Sequence, residues 1–256
     1  MNNILNNIKI AFFDLDGTLT NSKKILSEKN ILALKKLKEK NIYITLISGR
    51  CNDYILRFAE DLKCVDYIVS TQGACIYDVL NKKILKCDII PFNLIKKLSN
   101  YCYNHKVEIT HSNLSLLKEN YILSDTIDIY QSFIICKTKE DVNDLIDFIN
   151  QEPELYISYI SSSYYKKENI GNYSINVNSS ITNKGNAIVY LLNYLNIPKE
   201  YSICFGDNIN DLTMFKECGI KIAMDNAASI VKEIATYVTL SNDNDGVAYF
   251  INKYFS

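Results

Sequence analysis

The stretch FFDLDGTLT, residues 12–20, places two carboxylates directly after an apolar run. That run, IKIAFF at residues 8–13, is too short for a free-standing helix and predicts a buried strand. Asp14 and Asp16 are two residues apart, so in an extended segment both side chains face the same way. Because open α/β sheets bind ligands at the carboxyl ends of their strands, the pair predicts a site there. Taken alone, the pair is explained equally well as a turn with incidental acids.

Strands and helices alternate on both sides of this stretch. IYITLIS (42–48) and YIVS (67–70) are apolar and β-branched, and they predict two further buried strands with helices between them. Near the C-terminus, YSICF (201–205) and IKIAM (220–224) repeat the pattern around a short helix. Such alternation is typical of a right-handed parallel α/β sheet. Both ends of the chain are therefore predicted to form parts of one sheet.

The middle of the chain has a different pattern. SFIICK and LYISYI predict strands, while LIKKLSNYCY and DVNDLIDFIN predict helices, in a mixed order. We therefore predict a discontinuous α/β core at 1–78 and 183–256, with an α+β domain inserted at 79–182. One continuous sheet is the alternative, and it is less favoured because every motif described below avoids the middle.

Three further constellations follow a predicted strand or open a predicted helix. CFGDNINDLTMF (204–215) contains two more acids, LISGR (46–50) carries a hydroxyl and an arginine, and TNKG (182–185) sets a lysine at a helix start. Oxygen ligands without His or Cys suit a hard cation, magnesium first. A hydroxyl, an ammonium and helix N–H groups beside acids and a cation describe a phosphate pocket. Each constellation has a structural explanation by itself, but all four together are not expected by chance.

These segments resemble the haloacid dehalogenase-like (HAD) superfamily, and within it the Cof-type phosphatases with a C2 (type IIB) cap. FFDLDGTL, LISGR, NKG, GDNIND, GIKIAMDNA and SNDNDGVA match in order and spacing. The resemblance covers the core at both ends, while the insert matches by position and size only. It implies a Rossmann-like parallel-sheet core with an inserted α+β cap. It also implies a phosphoric monoester hydrolase acting on a small phosphorylated metabolite, such as a sugar phosphate or a phosphorylated cofactor.

The resemblance further implies chemical roles for the acids. Asp14 is the expected nucleophile, whose aspartyl-phosphate splits one hard step into two. Asp16 is the expected acid and base, which protonates the leaving alkoxide and then activates water. Mg²⁺ is the expected cofactor, bound by Asp14, the backbone carbonyl of Asp16, and Asp207. Asp211 is expected either to ligate the ion or to orient those ligands.

Basic and neutral residues complete the implied site. Ser48 and Lys184 are expected to act in catalysis, holding the transferring phosphoryl oxygens and offsetting their charge. Lys184 is also counted among the expected substrate-binding residues. The other members of that group are Gly49, Arg50 and Asn210, of which Asn210 is expected to donate a hydrogen bond.

Two positions depart from the family pattern. Ser48 stands where threonine is more usual, a mild change because the hydroxyl is kept. In TQGACIY (71–77), Gln72 replaces the asparagine of the family's NGA segment, which puts a local contact near the site in doubt. The inserted cap is expected to close over the site, exclude water and choose the leaving group.

The composition fits an ordinary globular protein of one large domain or two modest ones. The net charge of −1, with both signs dispersed, predicts no nucleic-acid surface, and no apolar segment is long enough to predict a membrane span. The start, MNNILNNIKI, lacks the features of a signal peptide, so a cytoplasmic location is expected. The eight cysteines include no CxxC and are expected to be buried thiols. We expect a monomer or a weak homodimer.

Two other functions share part of the pattern. A phosphomutase of the same superfamily uses the same nucleophile and acid, so only the product distinguishes it from a phosphatase. A receiver-like signalling module phosphorylates an aspartate after its third strand. Here the third predicted strand leads into TQGA, which contains no Asp. A magnesium-dependent phosphatase is therefore the favoured prediction.

Overall fold

The chain forms two compact units in a computed structural model. The structure describes residues 5–113, 127–166 and 169–255 and, within these ranges, the side chains outside 162–172. The first unit combines Met1–Leu85 with Asn183–Ser256, and the second is Lys86–Thr182. Among the helices described, none has the length and apolar character that crossing a membrane requires.

The elements are numbered in chain order within the described residues. The strands are β1 (Ile10–Asp14), β2 (Tyr43–Ile47), β3 (Tyr67–Ser70), β4 (Cys75–Asp78), β5 (Lys83–Cys87), β6 (Glu108–Ser112), β7 (Gln131–Cys136), β8 (Leu155–Lys166), β9 (Asn169–Ser179), β10 (Ser202–Gly206), β11 (Ile220–Ala223) and β12 (Tyr237–Val238). The α-helices are α1 (Glu28–Glu39), α2 (Asn52–Leu62), α3 (Phe92–Asn104), α4 (Lys139–Asn150), α5 (Lys184–Tyr194), α6 (Leu212–Glu217), α7 (Ser229–Ile234) and α8 (Gly246–Tyr254).

The larger unit is built on an eight-stranded sheet of order β12-β11-β10-β1-β2-β3-β4-β5. The six strands from β12 to β3 run parallel, and β4 returns antiparallel to β3. β1 pairs with β2 on one side and with β10, from the C-terminal part of the chain, on the other. The predicted parallel sheet with contributions from both ends of the chain is confirmed.

Successive side chains of β1 alternate between two apolar layers. Ala11 and Phe13 pack in the layer that includes α1, α2 and α8. Ile10 and Phe12 pack in the layer that includes α5, α6 and α7. Both faces of the sheet are covered, which explains why residues 10–13 of β1 are all apolar. The last residue of the strand is Asp14.

The second unit contains an antiparallel sheet of order β6-β7-β9-β8. Its apolar cluster joins the helices to the sheet through Leu98 of α3, Leu145 of α4, Ile134 of β7 and Ile175 of β9. This is the α+β architecture predicted for the middle of the chain. Its role as a cap stays a prediction.

The first boundary between the units follows Leu85, whereas the predicted core segment ends at residue 78. β4 and β5 continue the sheet of the larger unit. Tyr190 of α5 donates a hydrogen bond from its Oη to the carbonyl oxygen of Leu85 at 3.0 Å. These contacts attach the segment after residue 78 to the larger unit. The second boundary lies between Thr182 and Asn183.

Candidate active site

Three carboxylates meet at the carboxyl end of the central strands. Asp14 is the last residue of β1, and Asp207 directly follows the neighbouring parallel strand β10. Asp211 ends the short 3-10 turn Ile209–Asp211. Carboxylate oxygens of the three residues lie within 4.8 Å of one another. The structure thus brings together three of the predicted acids.

Lys184 is the counter-ion of these carboxylates. It is the first residue of α5, is 1% exposed, and donates from Nζ to Asp14 Oδ1 at 2.5 Å and to Asp211 Oδ1 at 2.6 Å. Burial by itself lowers the pKa of the ammonium, but the two carboxylates outweigh it and raise the pKa above its ordinary value. Asn183 caps α5 by accepting a hydrogen bond from the backbone N–H of Asn186, which fixes the helix end that carries the lysine.

Both carboxylate oxygens of Asp211 are engaged. Oδ1 accepts from Lys184, and Oδ2 accepts from the backbone N–H groups of Asp207 at 2.9 Å and Asn208 at 3.0 Å. These bonds fold the loop after β10 back on itself. Gly206 permits the fold, because a Cβ there would lie only 2.7 Å from Asp211 Oδ2. Asp211 therefore holds the backbone of Asp207 and Asn208 at the start of this loop.

Burial, together with neighbouring negative charge, raises the pKa of two carboxyl groups. Burial raises the pKa of Asp14 well above its ordinary value, against the opposing effect of Lys184. Burial and the neighbouring charge of Asp211 raise the pKa of Asp207 to about 7. In the described part of the site, three carboxylates share one ammonium, so the arrangement favours an additional cation.

The turn after β1 supplies a further contact to Asp207. Gly17 has a φ of +89°, and a Cβ at this position would collide with the Asp207 carboxylate. Thr18 is fully buried, and its Oγ1 donates to Asp207 Oδ1 at 2.7 Å. Thr18 is missing from the predicted site residues although it belongs to the stretch 12–20. The signal that identifies it is a hydroxyl directly after the glycine of the turn.

Asp16 makes a different contact from the other acids. Its Oδ2 accepts a hydrogen bond from Arg50 Nε at 2.8 Å. The guanidinium carbon of Arg50 lies 5.2 Å from the ring centre of Tyr54. Both charged side chains keep part of their surface in solvent. Arg50, predicted to bind substrate, is therefore the partner of the predicted acid and base in this structure.

The loop after β2 is tied to the loop after β10. The Ser48 hydroxyl is buried and accepts from the backbone N–H of Arg50 at 3.3 Å. The backbone N–H of Gln72 donates to the carbonyl oxygen of Ser48 at 3.1 Å, and Gln72 Oε1 accepts from Asn210 Nδ2 at 3.1 Å. Gly49 lies opposite the Gln72 carboxamide. Gln72 was noted in the sequence only as a departure, and its bridging contact was not predicted.

Known proteins are similar to this chain in sequence and in fold. Residues 11–251 match the haloacid dehalogenase-like hydrolase family. The chain is 28% identical to the 5-amino-6-(5-phospho-D-ribitylamino)uracil phosphatase YcsE of Bacillus subtilis, over 96% of each protein. It superposes on a haloacid dehalogenase-like hydrolase from Bacteroides thetaiotaomicron with a TM-score of 0.83 and 26% identity, covering 96% of this chain and 99% of that one. The HAD subclass IIB sugar phosphatase BT4131 gives a TM-score of 0.77 and 22% identity, covering 96% of this chain and 99% of its own.

The chain belongs to the haloacid dehalogenase-like hydrolase family, whose sequence match spans nearly its whole length. Within that family it is a phosphatase of the Cof type. The predicted family, fold class and enzyme class are confirmed. The roles of the individual site residues stay predictions.

Proposed function

We propose that the protein hydrolyses the phosphate monoester of a small metabolite, with Mg²⁺ as cofactor and an aspartyl-phosphate on Asp14 as intermediate. The observation that carries this proposal is the contact of Asp14 with Lys184 at the end of β1, with Asp207 beside them. A carboxylate held in this way is positioned to attack phosphorus while the negative charge of the incoming phosphate is offset.

The residues present fit a magnesium ion. The donor set consists of carboxylate oxygens, which suit a hard cation, and burial together with the neighbouring carboxylates raises the pKa of Asp14 and Asp207. Asp14, Asp207 and the backbone carbonyl of Asp16 would hold the ion. Asp211 and Thr18 would orient Asp207, since both hydrogen-bond to it. A bound ion would supply charge stabilisation to the transferring phosphoryl group.

The first half of the reaction transfers the phosphoryl group to the protein. A carboxylate oxygen of Asp14 forms a bond to phosphorus, and the bond between phosphorus and the leaving oxygen breaks. Asp16 gives its proton to that oxygen, so the product departs as an alcohol. Lys184 fixes the attacking carboxylate, and the Ser48 hydroxyl donates to a phosphoryl oxygen.

The second half releases phosphate. Asp16, now a carboxylate, takes a proton from water, whose oxygen attacks phosphorus and displaces the carboxylate of Asp14. Inorganic phosphate leaves and both aspartates are restored. Arg50 would orient Asp16 in both halves, because it holds that carboxylate and contacts no other acid among the described site residues.

We propose a phosphorylated sugar or a phosphorylated cofactor precursor as the substrate. The names of two similar proteins support this class: YcsE is a phosphatase of a phosphoribitylamino compound, and BT4131 is a sugar phosphatase. The inserted unit, Lys86–Thr182, would act as the cap that selects the leaving group.

The test is release of inorganic phosphate from a panel of sugar phosphates and phosphorylated cofactor precursors, with Mg²⁺ and with EDTA. Wild type should release phosphate only with Mg²⁺, and Asp14→Asn should lower kcat roughly 10³-fold or more, as losses of a nucleophile do. Asp61→Asn changes an exposed carboxylate of α2 and should leave kcat unchanged. Undiminished turnover in Asp14→Asn would overturn the mechanism. Recovery of an isomeric sugar phosphate in place of free phosphate would identify a phosphomutase.

A further inference from the structure

The turn Thr71–Gly73, which follows β3, has an uncommon backbone conformation. Thr71, Gln72 and Gly73 have φ values of +50°, +62° and +108°. Positive φ is uncommon for residues other than glycine, and for a β-branched residue such as threonine it is an outlier. Such strain persists only where the surrounding structure imposes it, and it clusters at active sites and ligand clamps.

The loop after β2 imposes this conformation. The backbone N–H of Thr71 donates to the carbonyl oxygen of Arg50 at 2.8 Å, and that of Gln72 donates to the carbonyl oxygen of Ser48 at 3.1 Å. Thr71 and Gln72 are both buried, and Gln72 is only 4% exposed. The position from which the Gln72 side chain extends is therefore fixed relative to the predicted phosphate-binding loop.

The Gln72 carboxamide lies between two loops of the site. Its Oε1 accepts a hydrogen bond from Asn210 Nδ2 at 3.1 Å. Its Nε2 faces Gly49, where an added Cβ would lie 2.5 Å from that nitrogen. Glycine at position 49 is thus the residue that leaves room for the carboxamide. Because Asn210 occupies the oxygen, the N–H end of the carboxamide is directed to the side of Gly49.

Nε2 of Gln72 has no hydrogen-bond partner among the residues that the structure describes. Gln72 is 4% exposed, yet its Nε2 is not one of the fully enclosed unpaired atoms, so this fixed donor is accessible to an oxygen atom from outside the protein. The donor lies beside Gly49, next in sequence to the Ser48 hydroxyl. Phosphoryl oxygens are the acceptors that such preorganised donors stabilise.

We propose that Gln72 is a phosphate-binding residue of this phosphatase, whose Nε2 donates a hydrogen bond to a phosphoryl oxygen while its Oε1 holds Asn210. This inference rests on the proposed function. Asparagine, the residue of the family pattern at this position, is one methylene shorter. From the same backbone it would place its carboxamide farther from both Asn210 and Gly49.

The test is binding of inorganic phosphate, the expected product, to the full chain in the presence of Mg²⁺, measured by titration calorimetry. Gln72→Met keeps the length of the side chain without a donor and should weaken binding about tenfold or more, the usual effect of losing a hydrogen bond to a charged group. Gln72→Glu keeps the shape, replaces the donor with a carboxylate oxygen, and should weaken binding further. Gln151→Glu makes the same charge change at an exposed position and should bind phosphate as wild type does.

Steady-state kinetics separates this inference from the proposed function. A donor that contacts phosphate in both the ground state and the transition state acts mainly on KM, so KM should rise in Gln72→Met while kcat stays within a few-fold. Folded Gln72 variants that bind phosphate within twofold of wild type would overturn the inference, even if turnover is normal. Wild type that releases no phosphate from any monoester, yet binds phosphate in a Gln72-dependent way, would overturn the proposed function alone. If Gln72→Glu does not fold, the phosphate affinity of Gln72→Met alone decides the test.

Discussion

Arg50 contacts Asp16, the proposed acid and base. Its Nε donates to Asp16 Oδ2 at 2.8 Å, and its guanidinium lies over the ring of Tyr54. The two contacts restrain the arginine, and the restrained arginine limits the directions in which the Asp16 carboxyl group can point. Proton transfer needs that group within hydrogen-bond reach of the leaving oxygen, so Arg50 should affect the step in which the proton moves.

Arg50→Met should therefore slow hydrolysis of alkyl phosphates more than hydrolysis of p-nitrophenyl phosphate. An alkoxide needs a proton to leave, whereas p-nitrophenolate is stable without one. We expect kcat to fall on the order of 10²-fold for an alkyl phosphate, the usual contribution of a positioned acid, and only a few-fold for p-nitrophenyl phosphate. Arg57→Met, at an exposed position of α2, is the matched control and should be neutral. Equal losses on both substrates would show that Arg50 contacts the phosphate instead.

The residues of the site differ in how far the sequence predicts them. Asp14 and Lys184 were predicted because each occupies the end of a regular element, where position along the chain determines position in the fold. Thr18 and Gln72 were not, since their roles depend on positive φ values and on contacts between loops distant in sequence. The ion pair between Asp16 and Arg50 was not predicted either, because it depends on the orientation of the two side chains, which the spacing of motifs does not specify.

Strand β6 of the second unit carries a buried histidine, His111. His111 Nδ1 lies 2.8 Å from the Ser132 hydroxyl of β7, and its Nε2 lies 3.1 Å from the Ser99 hydroxyl of α3. Burial lowers the pKa of His111 to about 4, from an ordinary value of 6.5. Both hydrogen-bond partners are neutral, so nothing in these contacts compensates a positive charge. The packing of α3 on the sheet is therefore expected to depend on pH.

His111→Gln should reduce the pH dependence of stability between about pH 6.5 and pH 4. Above this window the histidine is neutral in both states. Within it, the unfolded chain binds a proton that the folded chain does not, so the free energy of unfolding falls as pH falls. The contribution of His111 to this fall is about 3 kcal/mol and should be absent in the variant. The carboxyls of Asp14 and Asp207, whose pKa values are raised, contribute with the opposite sign in both proteins, so the difference between wild type and variant is the quantity to compare.

Urea denaturation of the full chain at several pH values measures this effect. His105→Gln removes the exposed histidine at the end of α3 and should keep the pH dependence of wild type. The same pH dependence in wild type and His111→Gln would show that His111 titrates normally in the folded chain.

Elements were predicted best where apolar runs coincide with buried strands. YIVS at 67–70 coincides with β3, and IYITLIS at 42–48 contains β2. β12 has only two residues and gives no periodic signal. The sequence did not predict the reversal from β3 into β4, because Thr71 and Gln72 are not residues typical of a turn with positive φ.

The larger unit is assembled from the N-terminal and C-terminal parts of the chain. Asp14 comes from the N-terminal part and Asp207 from the C-terminal part, and only the pairing of β1 with β10 brings them together. This joining was predictable because both ends carry strand-and-acid motifs and the middle carries none. A cation bound between the two parts can bind only the folded unit, so its binding free energy adds to the stability of that unit.

Magnesium should therefore raise the melting temperature of the chain, as measured by differential scanning calorimetry. One site at about 100 times its Kd adds about 2.7 kcal/mol, which corresponds to about 5 to 10 °C for a chain of this size. Asp207→Asn should abolish the rise, yet melt no lower than wild type without magnesium, because it removes a partly buried charge beside Asp211. Asp61→Asn should keep the rise of wild type. A rise of wild-type size in Asp207→Asn would place the ion elsewhere, and no rise in wild type would contradict a cation site shared by the two ends of the chain.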